Sequence, residues 1–169
     1  LPFTLIRQDI TKLQVDAIVN AANTSLRMGG GVCGAIFEAA GKKELQEACD
    51  KLAPIQTGQA VITPGFWLPA KYIIHTPGPV YRDGKSGEEA LLRRCYQNSL
   101  KLALEKRCES IAFPLISSGI YGYPPAEAFR VAVDTIKSFL QENDISVYLC
   151  VFGKSLPAIG GEICDAIGH

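Results

Sequence analysis

Short apolar runs alternate along this chain with stretches of helical periodicity, and that alternation narrows the available folds more than any other feature. Strands are predicted at residues 3–7, 17–19, 60–63, 72–75, 111–115 and 147–152. Helical patterns fill residues 33–53, 88–107 and 124–142, with a terminal helix predicted at 156–167. Gly41 is expected to break or bend the first of these. Several strands are apolar at successive positions, so both of their faces must be covered. Such strands, interleaved with helices, build an α/β sandwich with helices over a largely parallel sheet. At 169 residues the chain suits one domain, 1–169, with a core large enough to need no disulfide staple.

Charge excludes some functions. Seventeen basic and seventeen acidic side chains leave no net charge, a poor start for a duplex-DNA binder. Arg93, Arg94, Lys101, Lys106 and Arg107 leave an RNA-binding surface as a further reading, but their spacing on one long helix reads as a solvated face. No apolar run reaches the roughly 18–20 residues that cross a bilayer, and the first residues lack the charged lead and cleavage site of a signal peptide. The six cysteines form no Cys-x-x-Cys pair, and only His75 and His169 could join them on a metal. The expectation is a cytoplasmic domain with reduced, mostly buried thiols, no metal and no cofactor.

Ligands of such sheets gather where strands end and helices begin. Two glycine-rich loops occupy such positions, Asn20 to Gly34 and Pro114 to Pro124. Glycine lets the backbone approach a ligand, and a following helix adds unpaired amides and a positive dipole end. Two such loops on one sheet edge could hold two phosphates without a lysine. The plainer reading, two tight strand-to-helix turns, fits either loop alone better than both. The standard phosphate motifs are absent. Gly84-Lys85-Ser86 and Gly153-Lys154-Ser155 lack the required upstream glycine, with Pro79 and Tyr148 in its place, and no Gly-x-Gly-x-x-Gly opens a helix.

Asp9-Ile10-Thr11, the run Val15 to Asn23, Gly29-Gly30-Gly31-Val32, the run Ile73 to Pro79 and Ser117-Ser118-Gly119-Ile120-Tyr121-Gly122-Tyr123-Pro124 resemble the macrodomain family, and its MacroD-type branch most closely. The resemblance spans nearly the whole chain in order. It implies a three-layer fold, a mixed six-stranded sheet between helices, with ADP-ribose bound on the sheet's crest. Asp9 is then implied to accept from the adenine amino group, with the Ile10 amide nearby. Read alone, Asp9 is equally a helix cap. Phe152 is implied to stack on adenine, although a strand-end Phe is more often plain core. Ser117, Ser118, Gly119, Ile120 and Tyr121 are implied to wrap the diphosphate, with Gly30, Gly31 and Val32 closing the other side. Tyr121 would lie against the distal ribose and Asn23 would hydrogen-bond to it. Asn20 reads as pinning the loop and His75 as structural.

Two positions depart from the family pattern. MacroD-type hydrolases resembling this chain carry an aspartate after the Gly-Gly-Gly-Val run and a histidine four residues later. Here those positions hold Cys33 and Phe37. The aspartate helps to activate water, and base assistance is typically worth about 10²–10⁴-fold. Some viral-type macrodomains also lack it and are thought to position water with the substrate's phosphate and the distal-ribose asparagine, here Asn23. Cys33 could act as a thiolate at a helix N-terminus, or simply fill the corner. The implied function is therefore ADP-ribose binding with hydrolysis of mono-ADP-ribosylated proteins or of O-acetyl-ADP-ribose, Asn23 carrying catalysis. The alternative is a non-catalytic ADP-ribose reader.

Overall fold

Six strands, β1 (Phe3–Ile6), β2 (Ala17–Ala22), β3 (Val61–Pro64), β4 (Tyr72–Pro77), β5 (Ser110–Pro114) and β6 (Ser146–Cys150), pair in the order β1-β6-β5-β2-β4-β3. The structure is a computed structural model and describes residues 3–151. Only β3 runs antiparallel, against β4, so the sheet is mixed as the resemblance implied. Four helices flank it: α1 (Gly31–Ala40), α2 (Lys42–Asp50), α3 (Glu88–Glu105) and α4 (Pro125–Leu140).

Both faces of the sheet are dry, which explains the lack of polar alternation in the strands. Ala17, Val19, Ile74, Phe113 and Leu149 pack under α3 and α4. Ile18, Ala22, Ile73, Ala112 and Cys150 point the other way, toward α1 and α2. Helix α3 buries Leu92, Cys95, Tyr96, Ser99, Leu100 and Ala103, a three-and-four spacing that gives one continuous stripe. The result is three layers around one sheet. Among the described residues, no helix is long and apolar enough to cross a membrane.

Two details differ from the sequence expectation. Strand β2 extends to Ala22 instead of stopping at Val19, because Asn20 Nδ2 finds partners inside the protein, while its buried Oδ1 has none among the described residues. Asp9 caps a short 3₁₀ turn, Ile10–Lys12, that apolar periodicity does not announce. Gly41 does separate α1 from α2, at φ +105. Its own Cβ, had it one, would meet the Glu44 carboxylate. Phe152 and the terminal helix expected at 156–167 lie outside the described residues.

Candidate functional site

Neighbouring strands β2 and β5 send the chain in opposite directions. From β2 it runs through α1 and α2 to β3 and β4, and from β5 through α4 to β6. A parallel sheet opens a crevice at such a reversal, at the carboxyl ends of the strands. A cleft of about 480 Å³ lies there, between the loops that follow β2 and β5.

The first wall runs from Asn23 to Cys33. Gly30 caps α1 without a side-chain bond, and Gly31 sits at φ +57. The amides of Gly31, Val32 and Cys33 begin the helix, where no helical carbonyl reaches back to them. Gly34 lets the loop fold close, since a Cβ there would sit 2.6 Å from the Gly29 carbonyl oxygen. Asn23 lines the cleft, yet both ends of its amide hold its own loop. Nδ2 donates to the Arg27 carbonyl at 2.9 Å, and Oδ1 accepts from the Arg27 amide at 3.0 Å and the Ser25 hydroxyl at 2.9 Å.

The second wall runs from Leu115 to Tyr121. Ser117 and Gly122 take positive φ, +67 and +76, which curls the backbone inward. Bonds from Tyr123 N to Ser117 O and from Gly122 N to Gly119 O hold that curl. The amides of Gly119 and Ile120 donate to no acceptor among the described residues. Ile120 is 87% exposed, and its Cδ1 lies 3.8 Å from where a Gly30 Cβ would be, so it reaches across to the first wall.

Among the described residues, none that lines the cleft is Asp, Glu, Lys, Arg or His. An anion held here would therefore be held by backbone amides and a helix end.

Beneath the cleft lies a buried polar group set by strand register. Asn20 and His75 are direct partners across β2 and β4, so both point to the α1 and α2 face. Asn20 Nδ2 lies 3.1 Å from His75 Nδ1 and donates to Cys33 Sγ at 3.6 Å, while His75 Nε2 meets Thr63 Oγ1 at 3.0 Å. With Nδ1 accepting, Nε2 carries the proton. Burial holds the imidazole down at about 4, which keeps it neutral and structural. The Cys33 thiol lines the cleft while donating to the Arg27 carbonyl at 3.7 Å. The pinning expected of Asn20 is thus shared, with Asn23 and Cys33 both gripping Arg27.

Phe37 does not share the cleft. It is 1% exposed and packs in the core under α1, so it crowds no lining group. Asp9 Oδ1 accepts from the Thr11 amide at 3.0 Å and the Thr11 hydroxyl at 2.7 Å. The hydroxyl bond above all holds its carboxyl below the usual range. This is the cap reading, and it leaves Oδ2 for a further donor. Asp9 and Ile10 stand outside the cleft lining, although the charge of Asp9 bears on Cys150, which lines it. Sequence reasoning missed Gly78, Tyr96 and Cys150. Gly78 abuts the second wall so closely that a Cβ would collide with the Ser117 hydroxyl. Buried Tyr96 accepts from Ile116 N at 3.1 Å and donates to Pro114 O at 3.3 Å. On an amphipathic helix nothing distinguishes such a tyrosine from ordinary core.

Residues 19–132 match the sequence model of the macro domain. O-acetyl-ADP-ribose deacetylase of Escherichia fergusonii is 54% identical over 143 residues, which cover 82% of this chain and 80% of that protein. The Oceanobacillus iheyensis macrodomain solved with ADP superposes with a TM-score of 0.89 at 44% identity, covering 95% of this chain and 88% of that one. The Trypanosoma brucei macrodomain in complex with ADP-ribose gives a TM-score of 0.83 at 40% identity, covering 98% and 69%. Cleft, walls and sequence agree, and the chain belongs to the macro domain family.

Proposed function

We propose that this protein binds ADP-ribose and hydrolyses esters of it, releasing mono-ADP-ribose from modified acidic side chains or acetate from O-acetyl-ADP-ribose. The observation that carries this reading is the convergence of unpartnered amides from two loops on a cleft that no charged side chain lines among the described residues. Such a surface suits a diphosphate and lets a neutral protein bind an anion. The diphosphate lies between the amides of Gly31 and Val32 and those of Gly119, Ile120 and Tyr121. Asn23 serves the distal ribose with the second hydrogen of Nδ2, and Asp9 Oδ2 takes the adenine amino group. With no lining carboxylate or imidazole among the described residues to act as base, water is positioned by Asn23 and the substrate's own phosphate. The five unpaired, buried cysteines among the described residues suit a reducing, cytoplasmic setting.

The same lack of a base favours the second reading, a non-catalytic reader. Calorimetry with ADP-ribose tests binding, and affinity should fall only weakly as salt rises about tenfold, since amides carry no counterions to release. A time course of label loss from an Asp- or Glu-linked mono-ADP-ribosylated protein tests turnover. Release under catalytic enzyme supports the hydrolase. Release only at stoichiometric enzyme leaves the reader.

A further inference from the structure

The loop between β4 and α3 matches no phosphate motif, yet its backbone amides close on an anion belonging to the protein. Glu88, the first residue of α3, is 3% exposed. Its Oε2 accepts from the amides of Arg82 at 2.9 Å, Asp83 at 3.1 Å and Gly84 at 3.1 Å, and its Oε1 from Ser86 at 2.7 Å. Four donors on one carboxylate fix residues 82–86 more firmly than an exposed turn of this composition would fix itself.

That loop in turn supports the second wall of the cleft. Tyr81 N, one residue before the grip, donates to Tyr121 O at 2.8 Å. The Tyr81 and Tyr123 rings meet edge to face at 4.8 Å. The Ser117 hydroxyl donates to Pro79 O at 2.8 Å, and Gly78 lies against Ile116 and Ser117. Each of these contacts joins the β4–α3 segment to the curl that lines the cleft and carries the unpaired Gly119 and Ile120 amides.

We propose that Glu88 is a positioning residue for the anion-binding backbone: by gripping the amides of Arg82, Asp83, Gly84 and Ser86 it sets Tyr81, and through Tyr81 the height of the Ser117–Tyr121 curl. This rests on the reading of that curl as a diphosphate site. Glu88 touches no ligand itself. Its effect should fall on the phosphate end of a ligand and spare the adenine end, which Asp9, just past the edge strand β1, would serve. The bonds from Arg82 first, then Asp83 and Ser86, hold its carboxyl down at about 2, so the grip persists at any pH used to measure binding.

The test compares ADP-ribose with adenosine by calorimetry and NMR titration, for wild type, Glu88→Ala, Glu88→Gln and Gly84→Ala. Gly84 is exposed at φ +75, and a Cβ there would crowd the Tyr81 hydroxyl at 2.7 Å. Its own amide is one of the four that Glu88 accepts, so Gly84→Ala disturbs the same loop while leaving the Glu88 carboxylate in place. The expected result for Glu88→Ala and Gly84→Ala is a loss of about tenfold or more in ADP-ribose affinity, with adenosine changed less than about twofold. Glu88→Gln, which keeps one acceptor oxygen, should fall between. Amide exchange should quicken at 81–86 and at Tyr123 while the strands keep their protection. Should Glu88→Ala fail to fold, Gly84→Ala and Glu88→Gln carry the same expectation. Unchanged ADP-ribose affinity in folded variants overturns the proposal, as does an equal loss for adenosine. A wild type that binds adenosine but not ADP-ribose overturns the diphosphate reading itself, and this inference with it.

Discussion

The Asn23 amide has four hydrogen-bonding capacities, and the loop uses three sites on it, which ties any catalytic role to loop geometry. Truncation to alanine would remove the ligand donor and the loop clamp together. Asn23→Asp is the cleaner probe. Its carboxylate can still accept from Arg27 N and Ser25 Oγ, while every donor is lost. Acetate release from O-acetyl-ADP-ribose should fall about 100-fold or more, with ADP-ribose affinity falling much less, because water orientation matters mainly in the transition state. Cys33 contributes differently. Its sulfur makes only long contacts, 3.6 Å to Asn20 Nδ2 and 3.7 Å to Arg27 O. Cys33→Ala should therefore leave turnover within about threefold and cost about 1 kcal/mol of stability. Cys33→Asp should raise turnover, since Phe37 stands clear of the cleft and the first turn of α1 favours an added carboxylate. If Cys33→Ala proves as damaging as Asn23→Asp, and alkylation blocks release, a working thiolate replaces this account.

Among the elements, the scaffold of the second wall is what the sequence conceals. Tyr96 repeats the spacing of Leu92 and Leu100 on α3, so periodicity assigns it to core, which is correct but incomplete. Only the fold brings its hydroxyl under Pro114 and Ile116. Tyr96→Phe keeps the ring against Phe113, whose centroid is 4.9 Å away, and leaves the buried Ile116 amide without its acceptor. A loss of about 1–3 kcal/mol in urea unfolding is expected, with weaker ADP-ribose binding as the wall relaxes. An unchanged midpoint would mean that Ile116 finds another acceptor. The strands and helices themselves were legible because apolar period and glycine placement are local properties. Asn20 misled for the opposite reason: its burial depends on His75, 55 residues away in sequence and adjacent only in the sheet. The glycine loops were legible as the walls of a cleft, since bare backbone beside a helix start is itself local chemistry. Glu88 was not, because a carboxylate opening a helix reads as an ordinary dipole partner until the amides of Arg82, Asp83, Gly84 and Ser86 are seen to turn toward it.

At the scale of the whole molecule, the buried polar pair under the cleft couples stability to pH. His75 is fully buried and, by burial, its pKa is lowered from 6.5 to about 4. Between those values an unfolded chain binds a proton at this position and the folded chain does not. Stability rises with pH wherever the unfolded state holds more protons, so acidification from about 6.5 toward 4 destabilises the fold. The shift amounts to something on the order of 3 kcal/mol across that window. The depressed carboxyls of Asp9, Glu88 and Glu89 act lower, since their contribution is complete above 4.5 and is lost only as pH falls beneath it. Between pH 6.5 and 4.5 the slope among the described groups thus belongs to His75. Urea midpoints of wild type measured across this range should fall steadily with acid. His75→Asn, which can keep a polar contact to Asn20 but cannot titrate, should be less stable at pH 7 and much flatter over the same range. The comparison cancels His169, present in both proteins. If the two slopes coincide, the imidazole is not held neutral in the fold.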